Sequence, residues 1–203
     1  MPKDPDNPYV SRGGLKMRHA LETFDIAVEG SACADLGCST GGFTDCLLQH
    51  GAASVVCVDT AYGQLEWKLR SDARVTVMER TNALHAEPPE KGVDLVVIDL
   101  GWTPQRLAIP AAQKWLNNSG RIITLIKPHY ELSDQNRETR HEEIVLDDER
   151  AQSIAEASAD ALKPLGFEVA GLTKSPILGG GKRSKSKSKG NAEWLALLTQ
   201  NPC

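Results

Sequence analysis

The stretch Ala32-Cys-Ala-Asp-Leu-Gly-Cys-Ser-Thr-Gly-Gly-Phe-Thr-Asp-Cys-Leu-Leu-Gln49 decides how the rest of the chain is read. Its opening, Ala32–Leu36, is short and almost wholly apolar, the pattern of a strand covered on both faces. Gly37, Gly41 and Gly42 then mark a turn, and Phe43–His50 carries helical character. A strand that runs through a glycine-rich turn into a helix is the unit that open α/β sheets use to hold ligands at the carboxyl ends of their strands.

Working outward, similar apolar runs recur at Ser54–Asp59, Val75–Met78, Val93–Leu100 and Arg121–Ile126. Leu65–Arg70 and Pro104–Leu116 between them read as helices, so the order alternates strand and helix. That alternation predicts an α/β fold with a mostly parallel sheet flanked by helices. Upstream, Ser11 is placed to cap a helix reaching about Phe24, with Leu15, Ala20, Leu21 and Phe24 on one side. Downstream, Ala151–Leu162 reads as a helix ended near Pro164 and Gly166, and Phe167–Thr173 and Glu193–Leu198 as two last strands, seven in all. Residues 131–149 form an acidic loop region with eight acids against Arg137 and Arg140. The expected organisation is a flexible lead-in over residues 1–10 and one domain over 11–203, with a mobile basic loop at 179–190.

Composition narrows the function classes. With 203 residues, 40% of them hydrophobic, and 17 glycines, the chain has the make-up of a globular protein and not of a disordered or collagen-like one. No apolar run approaches the roughly 18 residues a bilayer span needs, and no basic start precedes an apolar stretch, so no membrane association is expected. Five cysteines (33, 38, 46, 57 and 203), four of them in apolar stretches, read as reduced thiols of a cytoplasmic protein. The histidines (19, 50, 85, 129, 141) and cysteines lack metal-ligand spacing, so no metal is expected. The formal net charge is −4, yet Lys182, Arg183, Lys185, Lys187 and Lys189 concentrate +5 in eight residues and leave the remainder at −9. Any grip on nucleic acid must therefore be local.

The turn after the first strand admits three ligand classes. A phosphate-binding loop needs lysine where Phe43 stands, and a dinucleotide fingerprint is broken by Gly37-Cys38-Ser39. S-adenosylmethionine has no phosphate and suits bare backbone around Asp35, Gly37, Ser39, Gly41, Gly42 and Phe43. Asp59 lies 22 residues beyond Gly37, where a carboxylate can take ribose hydroxyls, and Asn82 follows the third strand, where it can meet adenine or simply make a surface turn. Given a methyl donor, the acceptor side decides the chemistry. Asp99-Leu-Gly-Trp102 is not the Pro-Pro-aromatic pattern of base-amine methylation, and no cysteine between 57 and 203 can attack a pyrimidine ring. At strand ends there remain Asp99 and Lys127, a pair whose burial demands mutual neutralisation.

Several motifs in one order then resemble the hemolysin-A-type (TlyA) ribosomal RNA methyltransferases. They are Tyr9-Val-Ser-Arg-Gly-Gly-Leu-Lys16, Leu36-Gly-Cys-Ser-Thr-Gly-Gly-Phe-Thr-Asp45, Tyr62-Gly-Gln-Leu65, Glu79-Arg-Thr-Asn82, Ile126-Lys-Pro-His-Tyr-Glu131, Ser175-Pro-Ile177 and Gly190-Asn-Ala-Glu193. The wider group is the FtsJ-like (RrmJ-like) 2′-O-methyltransferases. The resemblance implies a Rossmann-like class I methyltransferase fold, S-adenosylmethionine as cofactor, and a catalytic set Lys16, Asp99, Lys127 and Glu193, with Asp99 also near the donor. It implies that Lys127, its pKa lowered by Lys16 and by desolvation, accepts the proton of a ribose 2′-hydroxyl or steadies the alkoxide. The partner implied is ribosomal RNA or a ribosomal subunit, contacted through Lys182, Arg183, Lys185, Lys187 and Lys189. Two other functions compete: a non-catalytic donor-binding module on RNA, and a membrane-active hemolysin.

Two departures from the family pattern bear on function. The family carries an upstream S4 RNA-binding domain, which this chain is expected to lack. The family's Asp-Val-Ser-Phe-Ile-Ser after the fourth strand is here Asp99-Leu-Gly-Trp-Thr-Pro104. Of the four tryptophans, Trp102 and Trp194 neighbour the proposed site and can stack on bases, whereas Trp67 and Trp115 are expected in the core.

Overall fold

A computed structural model describes residues 7–132, 146–179 and 190–200. Its strands are β1 Ala32–Leu36, β2 Ser54–Val58, β3 Val75–Met78, β4 Val93–Ile98, β5 Leu116–Ile126, β6 Phe167–Lys174 and β7 Trp194–Gln200. They form one sheet in the order β3-β2-β1-β4-β5-β7-β6. The first five are parallel, and β7 runs antiparallel to both β5 and β6. The helices are α1 Gly13–Thr23, α2 Gly42–Gln49, α3 Trp67–Arg70, α4 Gln105–Gln113, α5 Pro128–Glu131 and α6 Asp148–Asp160. The expected seven-stranded, mostly parallel α/β sheet is the one observed.

Alternation along the central strands sorts side chains into two apolar layers. Leu95, Val97, Ile123, Leu125, Leu195 and Leu197 pack with α1 and α2 through Met17, Ala20, Leu21, Phe43 and Leu47. Val96, Ile98, Ile122, Ile126, Ala196 and Leu198 pack on the opposite face with Ile109, Ala112, Trp115, Ala151 and Ala155. With both faces covered, the central strands carry near-continuous Val/Ile/Leu runs.

Three local expectations shift. The helix after β4 stops at Gln113, and β5 begins at Leu116, because the polar Asn117-Asn-Ser-Gly120 run, which has turn composition, joins the strand across a register shift opposite Val93. α6 starts at Asp148, three residues before the apolar pattern, since the Asp147 side chain accepts from the Arg150 N–H and caps it. Tyr9 and Val10 are not loose: Tyr9 is buried, and the Val10 N–H donates to Asp45 Oδ2 at 2.8 Å. Residues 1–6 of the lead-in, most of the acidic loop and the basic run 182–189 lie outside the described residues.

The sheet order reverses between β1 and β4, so a crevice opens there at the carboxyl ends of the parallel strands. The antiparallel strand matters most for the site. Ile126 pairs with Trp194, which brings the start of β7 to the same edge where β1, β4 and β5 end.

Candidate active site

The β1 side of this edge is built largely from backbone. Gly37 has φ +93°, and a Cβ there would lie 2.6 Å from the Asp99 carbonyl oxygen, so only glycine lets the β1 turn pass the end of β4. At Gly42 a Cβ would meet Ser11 Oγ and would lie 2.9 Å from the Gly14 nitrogen, so α1 and α2 touch backbone to backbone. The helix α1 does not begin with a serine cap as expected. Arg12 is its N-cap without a side-chain bond, and Ser11 Oγ accepts from the Gly13 N–H at 3.3 Å.

Asp35, at the end of β1, is fully buried. Its Oδ2 accepts from the Thr44 N–H at 3.0 Å and from Thr44 Oγ1 at 2.7 Å, while Oδ1 has no hydrogen-bond partner. Burial pushes its pKa up to about 7, partly offset by Thr44, with the Asp99 and Asp59 charges adding to the rise. Asp59 is turned onto the loops: Oδ2 accepts from the Ser39 N–H at 2.7 Å and Oδ1 from the Ala61 N–H at 2.8 Å. Asn82 is exposed and caps its own turn, its Oδ1 accepting from the Leu84 N–H and its carbonyl from the His85 N–H. The pocket of about 240 Å³ is lined by Ser11, Lys16, Asp35, Gly37, Phe43 and Asp99 among others, and by Ile177 and Leu178. Asp59 and Asn82 stand outside that lining, further along the edge toward β2 and β3.

The side of the edge toward β5 and β7 is built from ion pairs. Lys127, one residue past β5, pairs with Asp99, one residue past β4. Lys16, in the first turns of α1, pairs with Glu193, which immediately precedes β7, and both are buried. Burial lowers the Lys127 pKa, but Asp99 beside it and Glu193 nearby more than compensate, so the net shift is upward. This corrects the expectation of a lowered lysine pKa: the neighbouring carboxylates outweigh desolvation. The four residues thus meet at one corner despite spanning 177 positions of sequence.

The loops that fix Glu193 carry no chemistry of their own, and the sequence pattern did not single them out for this role. Its backbone carbonyl accepts from the Ser175 N–H at 2.8 Å, and the Asn191 carbonyl accepts from the Gly179 N–H at 2.8 Å. A Cβ on Gly179 would sit 2.5 Å from Glu193 Oε1. The motifs Ser175-Pro-Ile177 and Gly190-Asn-Ala-Glu193 are therefore one device. Asp45 is a second such residue: its carboxylate ties Val10, Gln49 and Lys68 together and seats the segment leading into α1.

Residues 9–192 match the model of the FtsJ-like methyltransferases. The chain belongs to that family. It is 42% identical over 198 residues to the 16S/23S rRNA (cytidine-2′-O)-methyltransferase TlyA of Mycobacterium tuberculosis, a match covering 96% of this chain and 70% of that protein. Hemolysin A of Brachyspira hyodysenteriae is 37% identical over 204 residues, covering 96% of this chain and 81% of that one. A hemolysin-like protein of Lactococcus lactis has a solved structure that superposes with a TM-score of 0.83 at 39% identity, over 95% of this chain and 89% of that chain.

As an FtsJ-like methyltransferase, the protein uses S-adenosylmethionine as its methyl donor, and the pocket fits it. The donor carries two positive centres, an ammonium and a sulfonium. The pocket offers an unpartnered buried carboxylate oxygen on Asp35 and a second carboxylate on Asp99, beside a glycine turn with no phosphate-gripping lysine. No His/Cys/Asp/Glu cluster able to hold a metal occurs among the described residues, and Cys33, Cys38, Cys46 and Cys57 are buried thiols. No described helix is long and apolar enough to cross a membrane.

Two tryptophans change places relative to expectation. Trp194 faces the second apolar layer and is buried, because it is the first in-register residue of β7 and its neighbour Glu193 takes the edge. Trp67 is 74% exposed, since Leu69 is the residue of α3 that turns inward. Trp115 is in the core as expected, and Trp102 stands 72% exposed beside the site.

Proposed function

We propose that this chain transfers the methyl group of S-adenosylmethionine to a ribose 2′-hydroxyl of ribosomal RNA, with Lys16, Asp99, Lys127 and Glu193 as its catalytic set. The observation that carries the reading is the convergence of the Lys127–Asp99 and Lys16–Glu193 pairs on the rim of the glycine-turn pocket. When bound, S-adenosylmethionine supplies an electrophilic methyl on a positively charged sulfur.

The residues of the chain do the rest. Asp35 Oδ1 accepts the donor's ammonium, and the bare backbone at Gly37, Gly41 and Gly42, with Ser39 and Phe43, bounds its path. Asp59 and Asn82 serve the nucleoside end through the lone pairs their loop bonds leave over. Asp99 fixes Lys127 against the acceptor hydroxyl, and the Lys16–Glu193 pair keeps the corner electrically neutral. Lys127 rests as an ammonium. To take the hydroxyl proton it first releases its own to water, then receives the 2′-proton as the oxygen–carbon bond forms and the carbon–sulfur bond breaks. Attack joins a partly negative oxygen to a cationic centre, so charge is quenched and holding the partners in line supplies much of the acceleration.

A ribosomal substrate places the reaction in the cytoplasm. The run Lys182, Arg183, Lys185, Lys187 and Lys189 precedes Glu193 closely and suits a phosphate contact; neutralising it should flatten the salt dependence of RNA affinity. The decisive assay incubates the protein with tritiated S-adenosylmethionine and ribosomal subunits. Label in RNA that resists alkaline hydrolysis at one linkage, lost in Lys127→Ala, is the expected result. Donor binding by calorimetry with no transfer to any ribosomal RNA would overturn the enzyme reading in favour of a binding module.

A further inference from the structure

The two oxygens of Asp35 do different work. The N-cap of α2 is Gly41, which has no side chain to offer the helix start, and Asp35 Oδ2 takes that place by accepting from the Thr44 N–H at 3.0 Å. Oδ2 also accepts from Thr44 Oγ1 at 2.7 Å, whereas Oδ1 is buried without a partner in a residue that lines the pocket. Asp35 and Cys57 are register partners on β1 and β2, so their side chains share a face of the sheet, and Cys57 Sγ lies 3.1 Å from Thr44 Oγ1. Cys57 is in turn hydrogen-bonded to Cys38, which lines the pocket again.

Proton counting gives this string of side chains a direction. Thr44 has a single hydroxyl hydrogen, and beside a carboxylate, which only accepts, that hydrogen goes to Asp35. Cys57 then donates its S–H to Thr44 Oγ1, and its sulfur is left to accept from Cys38. The Cys57 contact first and burial second push the Cys38 pKa up, so Cys38 keeps its hydrogen. Each donor along the string therefore points toward Oδ2. A proton taken up by Asp35 must sit on Oδ1, the atom left for the donor.

We propose that Thr44 is a positioning residue for donor binding: its hydroxyl and N–H hold Oδ2, Cys57 and Cys38 fix the direction of the hydroxyl, and Oδ1 alone exchanges its proton for the ammonium of S-adenosylmethionine. In that exchange the proton on Oδ1 leaves to solvent and an ammonium N–H donates in its place; no covalent bond to carbon changes. Thr44 is fully buried and is not among the residues lining the pocket, so it acts through Asp35. The other groups that face Asp35 are Asp99 past β4 and Asp59 past β2, whose charges oppose its ionisation, and the thiols of Cys33, Cys38 and Cys57. Lys16 of α1 lines the same pocket but is paired with Glu193. Burial and the two carboxylates push Asp35 toward the neutral acid, and the two bonds from Thr44 stand against them.

The inference rests on the assignment of Asp35 to the donor's ammonium, and calorimetry with S-adenosylmethionine across pH separates their failures. Thr44→Val replaces the hydroxyl by a methyl and should weaken binding roughly 10- to 100-fold at pH 7. The pH at which affinity reaches its plateau should also move upward, because the carboxylate has lost a donor. Thr44→Ser restores the hydroxyl and should recover both. In an Asp35→Asn background, Thr44→Val should cost at most about twofold more, since the charge it acts through is gone. Cys57→Ala leaves Thr44 on Asp35 but frees its hydroxyl to rotate, and should give a smaller loss in the same direction. Donor affinity unchanged in Thr44→Val overturns the role. Equal weakening with and without the Asp35 charge also overturns it, by assigning Thr44 to the shape of the turn. If Thr44→Val does not fold, the Cys57→Ala result decides: an unmoved affinity and pH profile overturn the role. In each of these cases a weakened Asp35→Asn leaves the ammonium assignment standing. An Asp35→Asn variant that binds as tightly as wild type overturns that assignment, and the role of Thr44 with it.

Discussion

The donor half and the acceptor half of this sheet edge solve the same problem, holding charge in a partly buried place, by opposite means. On the donor side the work falls to backbone and one carboxyl: a left-handed glycine, a tight helix start, and Asp35 with one oxygen satisfied by Thr44 and one left open. On the acceptor side it falls to paired long side chains, Lys127 with Asp99 and Lys16 with Glu193. Asp35 keeps one carboxylate oxygen without a hydrogen-bond partner, whereas Lys127 and Lys16 each have a carboxylate partner. The difference teaches that donor affinity and methyl transfer are separable. Substitutions on one side should move one without the other.

The largest expected effect is on transfer. Lys127→Ala removes the amine and strands Asp99, and should cut the rate about 10²- to 10⁴-fold in single-turnover assays while donor affinity holds. Equal losses in both would erase the contrast between the halves. Next, Asp35→Asn keeps acceptor and shape but not charge. Calorimetry should show donor binding weakened roughly 10- to 100-fold, with the RNA KM unmoved.

The pH dependences should also split. Asp35 has its folded pKa raised from 3.8 to about 7, so its contribution to the stability of the donor-free protein is fully present below pH 3.8 and lost as pH rises through about 7. A cationic donor reverses that trend, and the donor-induced rise in Tm should therefore grow between pH 5 and 8 and flatten in Asp35→Asn. The Lys127 pKa is raised as well, above a lysine's already alkaline value, so the transfer rate should climb through the alkaline range as its ammonium deprotonates. A rate that levels off near neutrality would break the base role assigned to Lys127.

Gly37→Ala probes the seam between the halves, because its new methyl would press on the Asp99 carbonyl. Strain at a left-handed position costs about 1–3 kcal/mol, readable by denaturant unfolding, and both donor affinity and transfer should fall together. The smallest effect belongs to Lys68→Ala. Its ammonium is half exposed on Asp45, remote from the chemistry, and such pairs contribute roughly 0.2–1 kcal/mol. Activity should be unchanged.

The same contrast governs what could be read without coordinates. The donor half lies in one unbroken segment from Asp35 to Thr44 plus two strand-end residues, and strand, turn and helix signals are all local there. Asp99 and Lys127 were also legible, since a charged residue capping an apolar run stands out. Lys16 and Glu193 were not legible from pattern. One sits in an ordinary amphipathic helix and the other before an ordinary strand, and only family resemblance placed them together. Trp67 and Trp194 were assigned to the wrong sides because a one-residue step along a strand or helix turns a side chain from core to surface, and the pattern there was too short to fix the phase.

Alternation of short apolar runs with helices, and glycines at the first turn, set the sheet, its parallel core and the class of ligand, because these depend on contacts between residues close in the chain. Tertiary structure alone decided the reactive corner. The reversal of β7 carries Glu193 back to the edge where β4 and β5 end, and the packing of α1 on α2 delivers Lys16 to it. It also decided that Lys127 is held charged, for a pKa is set by whichever charges come nearest in space, and those neighbours are fixed only when distant segments meet.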